Sequence, residues 1–251
     1  MKKTITVIKF GGSLSKNEAA RKTFLKELAA RAKKENVVLV HGGGPEINGW
    51  LERLGIKSTF VGGLRYTDVP TLEVVEMVLC GKVNKAFVSD LSKLGIRAVG
   101  LSGKDGKMAR CRRLPDLGFV GEPVTIDASL LKTLLAAGYM PVVSSIGFDA
   151  RGQALNINAD SLAMAIAVAL KARRLILLTD VPGVLDEQKR TITRICPGDV
   201  SRLLSAGVIT GGMIPKIKAC VKSIRRGIRE VWIADGAAGL AKLRGTMITK
   251  D

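Results

Sequence analysis

The chain alternates apolar, β-branched runs with helix-like segments, and this rhythm limits its fold more than any other feature. Six such runs stand out: TITVIKF, VVLVHGGG, RAVGLSG (97–103), MPVVSSIG (140–147), RLILLTDVPGV (174–184) and REVWIADG (229–236). Continuous apolar runs that close on Gly, Ser or Thr are typical of parallel strands covered on both faces. Helical patterns lie between them. In TLEVVEMVLCGKVNKAFVSDLSKLG, residues Leu72, Val75, Leu79, Val83, Phe87 and Leu91 recur every three or four positions, which makes one apolar stripe. DSLAMAIAVALKA is apolar all round, as a helix buried within an α/β layer is. The alternation predicts an α/β fold: an open, mainly parallel central sheet sandwiched between helices. Segments 57–68 and 104–126 interrupt it with turn residues and predict hairpins projecting from the sheet. No linker or low-complexity tract divides the chain, so two lobes sharing one sheet are expected, 1–170 and 171–251.

Composition narrows the function classes. At 251 residues and 47% hydrophobic, the chain can bury a large core. It has no run of about 18 apolar residues, so no membrane span is expected. Behind Lys2 and Lys3 the apolar stretch is broken by Lys9 and Gly11-Gly12, too soon for a signal peptide, and a cytoplasmic location is the expectation. The four cysteines form no CxxC and there is one histidine, so neither a zinc site nor a disulfide framework is expected. The net charge of +18 draws in anions such as nucleotides and acidic partners. The basic residues are scattered in pairs and aromatics are only 4%, which disfavours nucleic-acid binding, since no stacking platform is available.

Ligands of open α/β sheets bind at the carboxyl ends of strands, and glycines stand there: Gly11-Gly12 after the first strand, Gly42-Gly43-Gly44 after the second. Freed backbone N–H groups beside a helix N-terminus make an anion cradle; the same glycines also suit plain tight turns. There is no GxxxxGK[ST] and no GxGxxG after a strand, so P-loop and dinucleotide folds are disfavoured. HGGG alone does not make a lipase, because the GxSxG nucleophile turn is missing. His41 therefore reads as a structural residue. Lys9 interrupts an apolar strand, which is costly unless the lysine meets an anion or a carboxylate. Lys216 follows another Gly-Gly near a helix start, and Asp160 in NINAD either caps the next helix or serves the lysines. Two lysines and an aspartate around glycine loops suit phosphoryl transfer.

The motifs IKFGGS, VHGGGPEIN, GLRYTD, EMVLCGKVNK, GLSGKDG, DLGFVGE, NINAD, LILLTDVPGVL and GGMIPK occur in this order. Together they resemble the N-acetylglutamate kinases of the amino-acid kinase family, from about residue 5 to the C-terminal GTMI. The resemblance implies transfer of phosphate from ATP, with Mg²⁺, to the side-chain carboxylate of N-acetyl-L-glutamate, the second step of arginine biosynthesis. It implies catalytic roles for Lys9, Asp160 and Lys216, and N–H donation to the phosphoryl group by Gly11, Gly12, Gly43 and Gly44. It implies acceptor binding by Gly43, Gly44, Arg65, Asn156 and Asn158, with Arg65 pairing bidentately with a carboxylate. ATP would meet Lys9, Thr179, Asp180, Gly183, Met213 and Lys216, and no protein metal ligand is implied. The first lobe would bind the acceptor and form a homodimer through 71–91; the second would bind ATP.

Arginine-regulated members carry a helix before the first strand, and here the strand begins within about five residues of Met1, so arginine inhibition is not expected. The basic surface fits a second reading, a kinase acting on glutamate or aminoadipate held on an acidic carrier protein, which such a surface would steer. GLRYTD and NINAD favour the free acceptor. A third reading, a non-catalytic nucleotide-binding regulator, is disfavoured by the presence of Lys9, Asp160 and Lys216 together.

Overall fold

A computed structural model of the chain describes residues 3–11 and 18–250. The chain opens with strand β1 (Ile5–Phe10), helix α1 (Glu18–Lys34), β2 (Asn36–His41) and α2 (Gly44–Arg53). A short ribbon of β3 (Phe60–Val61) and β4 (Leu64–Arg65) leads to α3 (Val69–Glu76) and α4 (Asn84–Lys93), joined by a π-helical stretch, Met77–Val83. Next come β5 (Ala98–Ser102), β6 (Ala109–Arg113), β7 (Val120–Ile126) and α5 (Ser129–Ala136). They are followed by β8 (Met140–Ser144), β9 (Ile146–Phe148), β10 (Ala154–Ile157) and α6 (Ala159–Ala169). The remainder is β11 (Arg174–Thr179), β12 (Arg194–Ile195), α7 (Val200–Ser205), α8 (Met213–Arg225), β13 (Glu230–Asp235) and β14 (Gly245–Thr249).

Eight strands form one sheet in the order β12-β14-β13-β11-β1-β2-β8-β5. From β13 to β5 every pairing is parallel, and β14 runs antiparallel to β13. The sheet is thus mainly parallel, as the apolar runs imply. On one side of β1 lie strands from before residue 170; on the other lie strands from after it. Strand order reverses between β1 and β11, and such a reversal opens a crevice at the carboxyl ends of the strands.

Both faces of the sheet are covered, which is why its strands are apolar without alternation. Val7 of β1 packs with Leu162 of α6 and Ile217 of α8. Its neighbours Ile8 and Phe10 pack on the opposite face, with Phe24 and Leu28 of α1 and Phe87 and Leu91 of α4.

Several runs resolve differently from their sequence reading. MPVVSSIG is not one strand: β8 belongs to the large sheet, and β9 turns into a closed barrel with β6, β7 and β10. Segment 104–126 supplies the antiparallel β6–β7 pair of that barrel, so its hairpin closes on other strands instead of standing free. The run 174–184 is strand only to Thr179. Segment 71–95 is helical without a break as far as Lys93, widening into the π-helical stretch Met77–Val83 on the way. Its apolar residues from Val75 to Leu91 are spaced by four, which overshoots a 3.6-residue turn. The wider π turn absorbs that drift, and Leu79, Phe87 and Leu91 stay buried.

Candidate functional site

Three charged side chains converge from three elements. Lys9 stands near the end of β1, Asp160 is in the first turn of α6, and Lys216 in the first turn of α8. Lys9 Nζ lies 2.9 Å from Asp160 Oδ1, and Lys216 Nζ lies 3.0 Å from Asp160 Oδ2. The side chains are only 13%, 16% and 23% exposed in that order, so solvent screens them weakly. Burial pushes the Asp160 carboxyl up, but the Lys9 and Lys216 ammonium groups outweigh it and hold it below the usual carboxylate range. One carboxylate between two ammonium groups leaves a net positive charge, ready for a further anion.

Asp160 is free for this because it is not the helix cap. Asn158 caps α6, its Oδ1 accepting from the N–H groups of Asp160 at 2.9 Å and Ser161 at 3.2 Å. The plain-cap reading of Asp160 is thereby corrected, and it is Asn158 that has the cap geometry.

The glycines around this cluster have different reasons to be glycine. A Cβ on Gly11 would stand 2.9 Å from the Leu178 carbonyl oxygen of β11 and 3.6 Å from Lys9 Nζ. A Cβ on Gly43 would stand 2.8 Å from Leu79 Cδ2 and 3.3 Å from Val83 Cγ2, so helix packing excludes a side chain there. At Gly44, the first residue of α2, a Cβ would meet nothing within 4 Å. No side chain caps α2, and Pro45 occupies its first turn. Gly12 lies outside the described residues.

Gly42, Gly43 and Gly44 border a cavity of about 170 Å³ whose wall also includes Phe60, Arg65, Asn156, Asn158 and Ala159. Arg65 is 7% exposed. Its guanidinium donates to Ser58 Oγ and, at 2.6 Å, to Asn48 Oδ1, and the Phe60 ring centroid lies 4.7 Å from Cζ. Among the described residues no carboxylate pairs with it. Burial lowers its pKa, the direction expected of a cation short of counter-charge. Asn156 is held by its Nδ2–H donating to Thr67 Oγ1 at 3.1 Å, and Thr67 in turn donates to the Arg65 carbonyl at 2.9 Å. Arg65, Asn156 and Asn158 are therefore brought together. Asn48, Ser58 and Thr67 were missed from sequence, although Asn48 ends the VHGGGPEIN motif.

Thr179 closes β11 beside the end of β1, where Lys9 pairs with Leu177. Its hydroxyl donates to the Val181 carbonyl at 3.0 Å and accepts from the Val181 N–H at 3.1 Å, which turns the chain out of the sheet. Asp180 is exposed, and Met213 begins α8. Gly183 has φ +130°, and a Cβ there would stand 2.8 Å from Thr246 Oγ1, so backbone and packing both require glycine. No side-chain hydrogen bond or ion pair among the described residues links Thr179, Asp180 or Met213 to the lysine–aspartate cluster. Among those residues, no group of three or more His, Cys, Asp or Glu could hold a metal ion.

His41 is fully buried. A carbonyl only accepts, so Nδ1 carries the hydrogen in its 3.0 Å bond to Gly42 O. Nε2 then accepts from Asn84 Nδ2–H at 3.1 Å. Burial brings its pKa down to about 4, against a smaller upward pull from the Gly42 carbonyl. It is a neutral structural residue that ties β2 to α4.

A sequence profile described as the amino acid kinase family matches residues 4–235. The acetylglutamate kinase of Endomicrobium trichonymphae is 51% identical over 246 residues, spanning 98% of this chain and 99% of that protein. That of Desulforamulus reducens is 48% identical, spanning 93% and 84%. Among solved structures, smu.665 from Streptococcus mutans UA159 superposes with a TM-score of 0.86 at 33% identity, covering 98% of this chain and 99% of that one. The carbamate kinase of Giardia, at 15% identity and a TM-score of 0.73 with both chains fully covered, shares the fold. No described helix is long and apolar enough to cross a membrane.

Proposed function

The chain belongs to the amino acid kinase family, and from that premise we propose that it transfers the γ-phosphoryl group of ATP to the side-chain carboxylate of N-acetyl-L-glutamate. The products are an acyl phosphate and ADP, made in the cytoplasm as the second step of arginine biosynthesis. One observation carries the reading. A buried arginine without a carboxylate partner among the described residues borders a cavity that runs up to Ala159, next to the lysine-bridged Asp160. An acceptor with one carboxylate on Arg65 and a second pointing at Lys9 and Lys216 answers both features.

In the reaction an oxygen of the acceptor's side-chain carboxylate attacks the γ-phosphorus as the bond to the β–γ bridging oxygen breaks. That carboxylate is already ionised at neutral pH, so no general base is required. Catalysis then rests on positioning and charge. Lys9 and Lys216 stabilise the charge spread over the transferred group, and Asp160 fixes the two ammonium groups in place. N–H groups of Gly11, Gly12, Gly43 and Gly44 donate to phosphoryl oxygens, with the uncapped start of α2 behind them. Arg65 clamps the acceptor's α-carboxylate, and Asn156 and Asn158 orient the acceptor. Thr179, Asp180, Gly183 and Met213 face the nucleotide in the lobe 171–251, while 1–170 holds the acceptor. Among the described residues no cluster of His, Cys, Asp or Glu suits a metal ion, and in this reading Mg²⁺ comes with the nucleotide as MgATP. Two copies would meet as a homodimer through 71–91, where Met77 is an apolar side chain 62% exposed.

The test is trapping of the acyl phosphate by hydroxylamine, with MgATP and N-acetyl-L-glutamate, L-glutamate or N-acetyl-L-aspartate in parallel. Hydroxamate with the first and little with the others is expected. No hydroxamate from any free acceptor, in folded protein that binds ATP, would overturn the reading and point to an acceptor held on a carrier.

A further inference from the structure

Arg65 is held by neutral groups, and that choice has a consequence. A guanidinium in a folded protein is ordinarily steadied by a carboxylate, which fixes its position and cancels its charge. Here the steadying contacts are the Asn48 amide oxygen at 2.6 Å, the Ser58 hydroxyl and the face of Phe60. They come from α2, from the segment before β3, and from β3 itself. None carries charge, so the arginine is fixed while its full charge stays uncompensated.

We propose that Asn48, assisted by Ser58, is the positioning residue of the acceptor clamp, and that its neutrality is what reserves Arg65 for a carboxylate of the acceptor. The proposal rests on the acceptor assignment above. Asparagine and aspartate have nearly the same shape, and either can accept the Arg65 hydrogen bond. An aspartate at 48 would bond the guanidinium more strongly and compete with the incoming carboxylate. Asn48 begins no strand or helix and caps none, and it is exposed, so its replacement leaves the core untouched.

This gives an order of effects that a structural role does not. If Asn48 only props up Arg65, Asn48→Asp preserves function and Asn48→Ala harms it. If neutrality matters, the order inverts. The experiment measures kcat and KM for both substrates in the unsubstituted protein, Asn48→Asp and Asn48→Ala, with the melting temperature of each. Asn48→Asp is expected to raise KM for N-acetyl-L-glutamate by about tenfold or more, since close charge pairs are worth that much. KM for ATP should stay within about twofold, and the melting temperature should not fall. Asn48→Ala is expected to raise the acceptor KM by only a few fold, as loss of one hydrogen bond does. Asn48→Asp with an acceptor KM at or below that of Asn48→Ala overturns this proposal while leaving the acceptor assignment standing. No turnover of N-acetyl-L-glutamate by the unsubstituted protein overturns the assignment and this proposal with it.

Discussion

Gly44→Ala separates a glycine that the fold requires from one that a ligand requires. A Cβ built at Gly44 meets nothing within 4 Å, and the residue opens α2 without a left-handed φ. Alanine there should not strain the protein. By restricting the unfolded chain it should stabilise the fold by about 0.5 kcal/mol, which for a chain of this length is a rise of roughly 1–2 °C in Tm. The new methyl would nonetheless enter the cavity between the start of α2 and Arg65, where the acceptor and the phosphoryl group are to sit. Alanine keeps the backbone N–H, so the methyl would act by holding the phosphoryl group away from that donor. Loss of one preorganised donor typically costs about 10²-fold in rate, and a similar fall in kcat/KM is expected. Gly43→Ala is the contrast. Its Cβ would stand 2.8 Å from Leu79 Cδ2, and Leu79 is 1% exposed, so overpacking should cost about 1–3 kcal/mol, or roughly 2–12 °C. The assay is hydroxamate formation beside a thermal melt. Full activity in Gly44→Ala would refute the cradle at α2, and a lowered Tm in that variant would refute the packing argument.

Other outcomes follow from the same contacts. Lys216→Ala and Lys9→Ala should each lower kcat by about 10²–10³-fold, read by steady-state kinetics, because in the proposed mechanism each removes one of the two positive charges facing the transferred group. His41 should make stability fall in acid. Its pKa is about 4 in the folded chain against 6.5 ordinarily, so the unfolded chain binds the proton more readily between those values. Stability should drop by about 2 kcal/mol from pH 6.5 to pH 5, and urea titrations of His41→Gln should lack that slope. Asp160 acts in a lower window. Its pKa is depressed from 3.8, so its stabilisation is present above that value and is lost as pH falls through the folded one. Asp160→Asn should flatten the acid limb below about pH 4 without changing the His41 slope.

Much of this was legible because parallel strands covered on both faces read as unbroken apolar runs, and β1, β2, β8, β11 and β13 do so. Lys9 was legible for the converse reason, a charge where burial forbids one unless it is paired. What escaped depends on contacts between distant segments. Gly43 is small because Leu79 and Val83, some forty residues on, pack against it. The split of MPVVSSIG between two sheets follows from the barrel that β9 joins, and periodicity cannot tell one strand from two in line. Asp160 and Asn158 compete locally for the cap of α6, and either residue type suits the position. The lysines drawing on both Asp160 oxygens become visible only in three dimensions. Asn48 and Ser58 look like ordinary surface residues until Arg65 is seen between them.

The most direct test is a ³¹P NMR time course of the protein with MgATP and N-acetyl-L-glutamate. An acyl phosphate resonance that grows as the γ-phosphate resonance falls, with ADP appearing in step and neither change occurring without the acceptor, is the predicted result. Unchanged ATP, or release of inorganic phosphate at the same rate with and without the acceptor, would contradict the account.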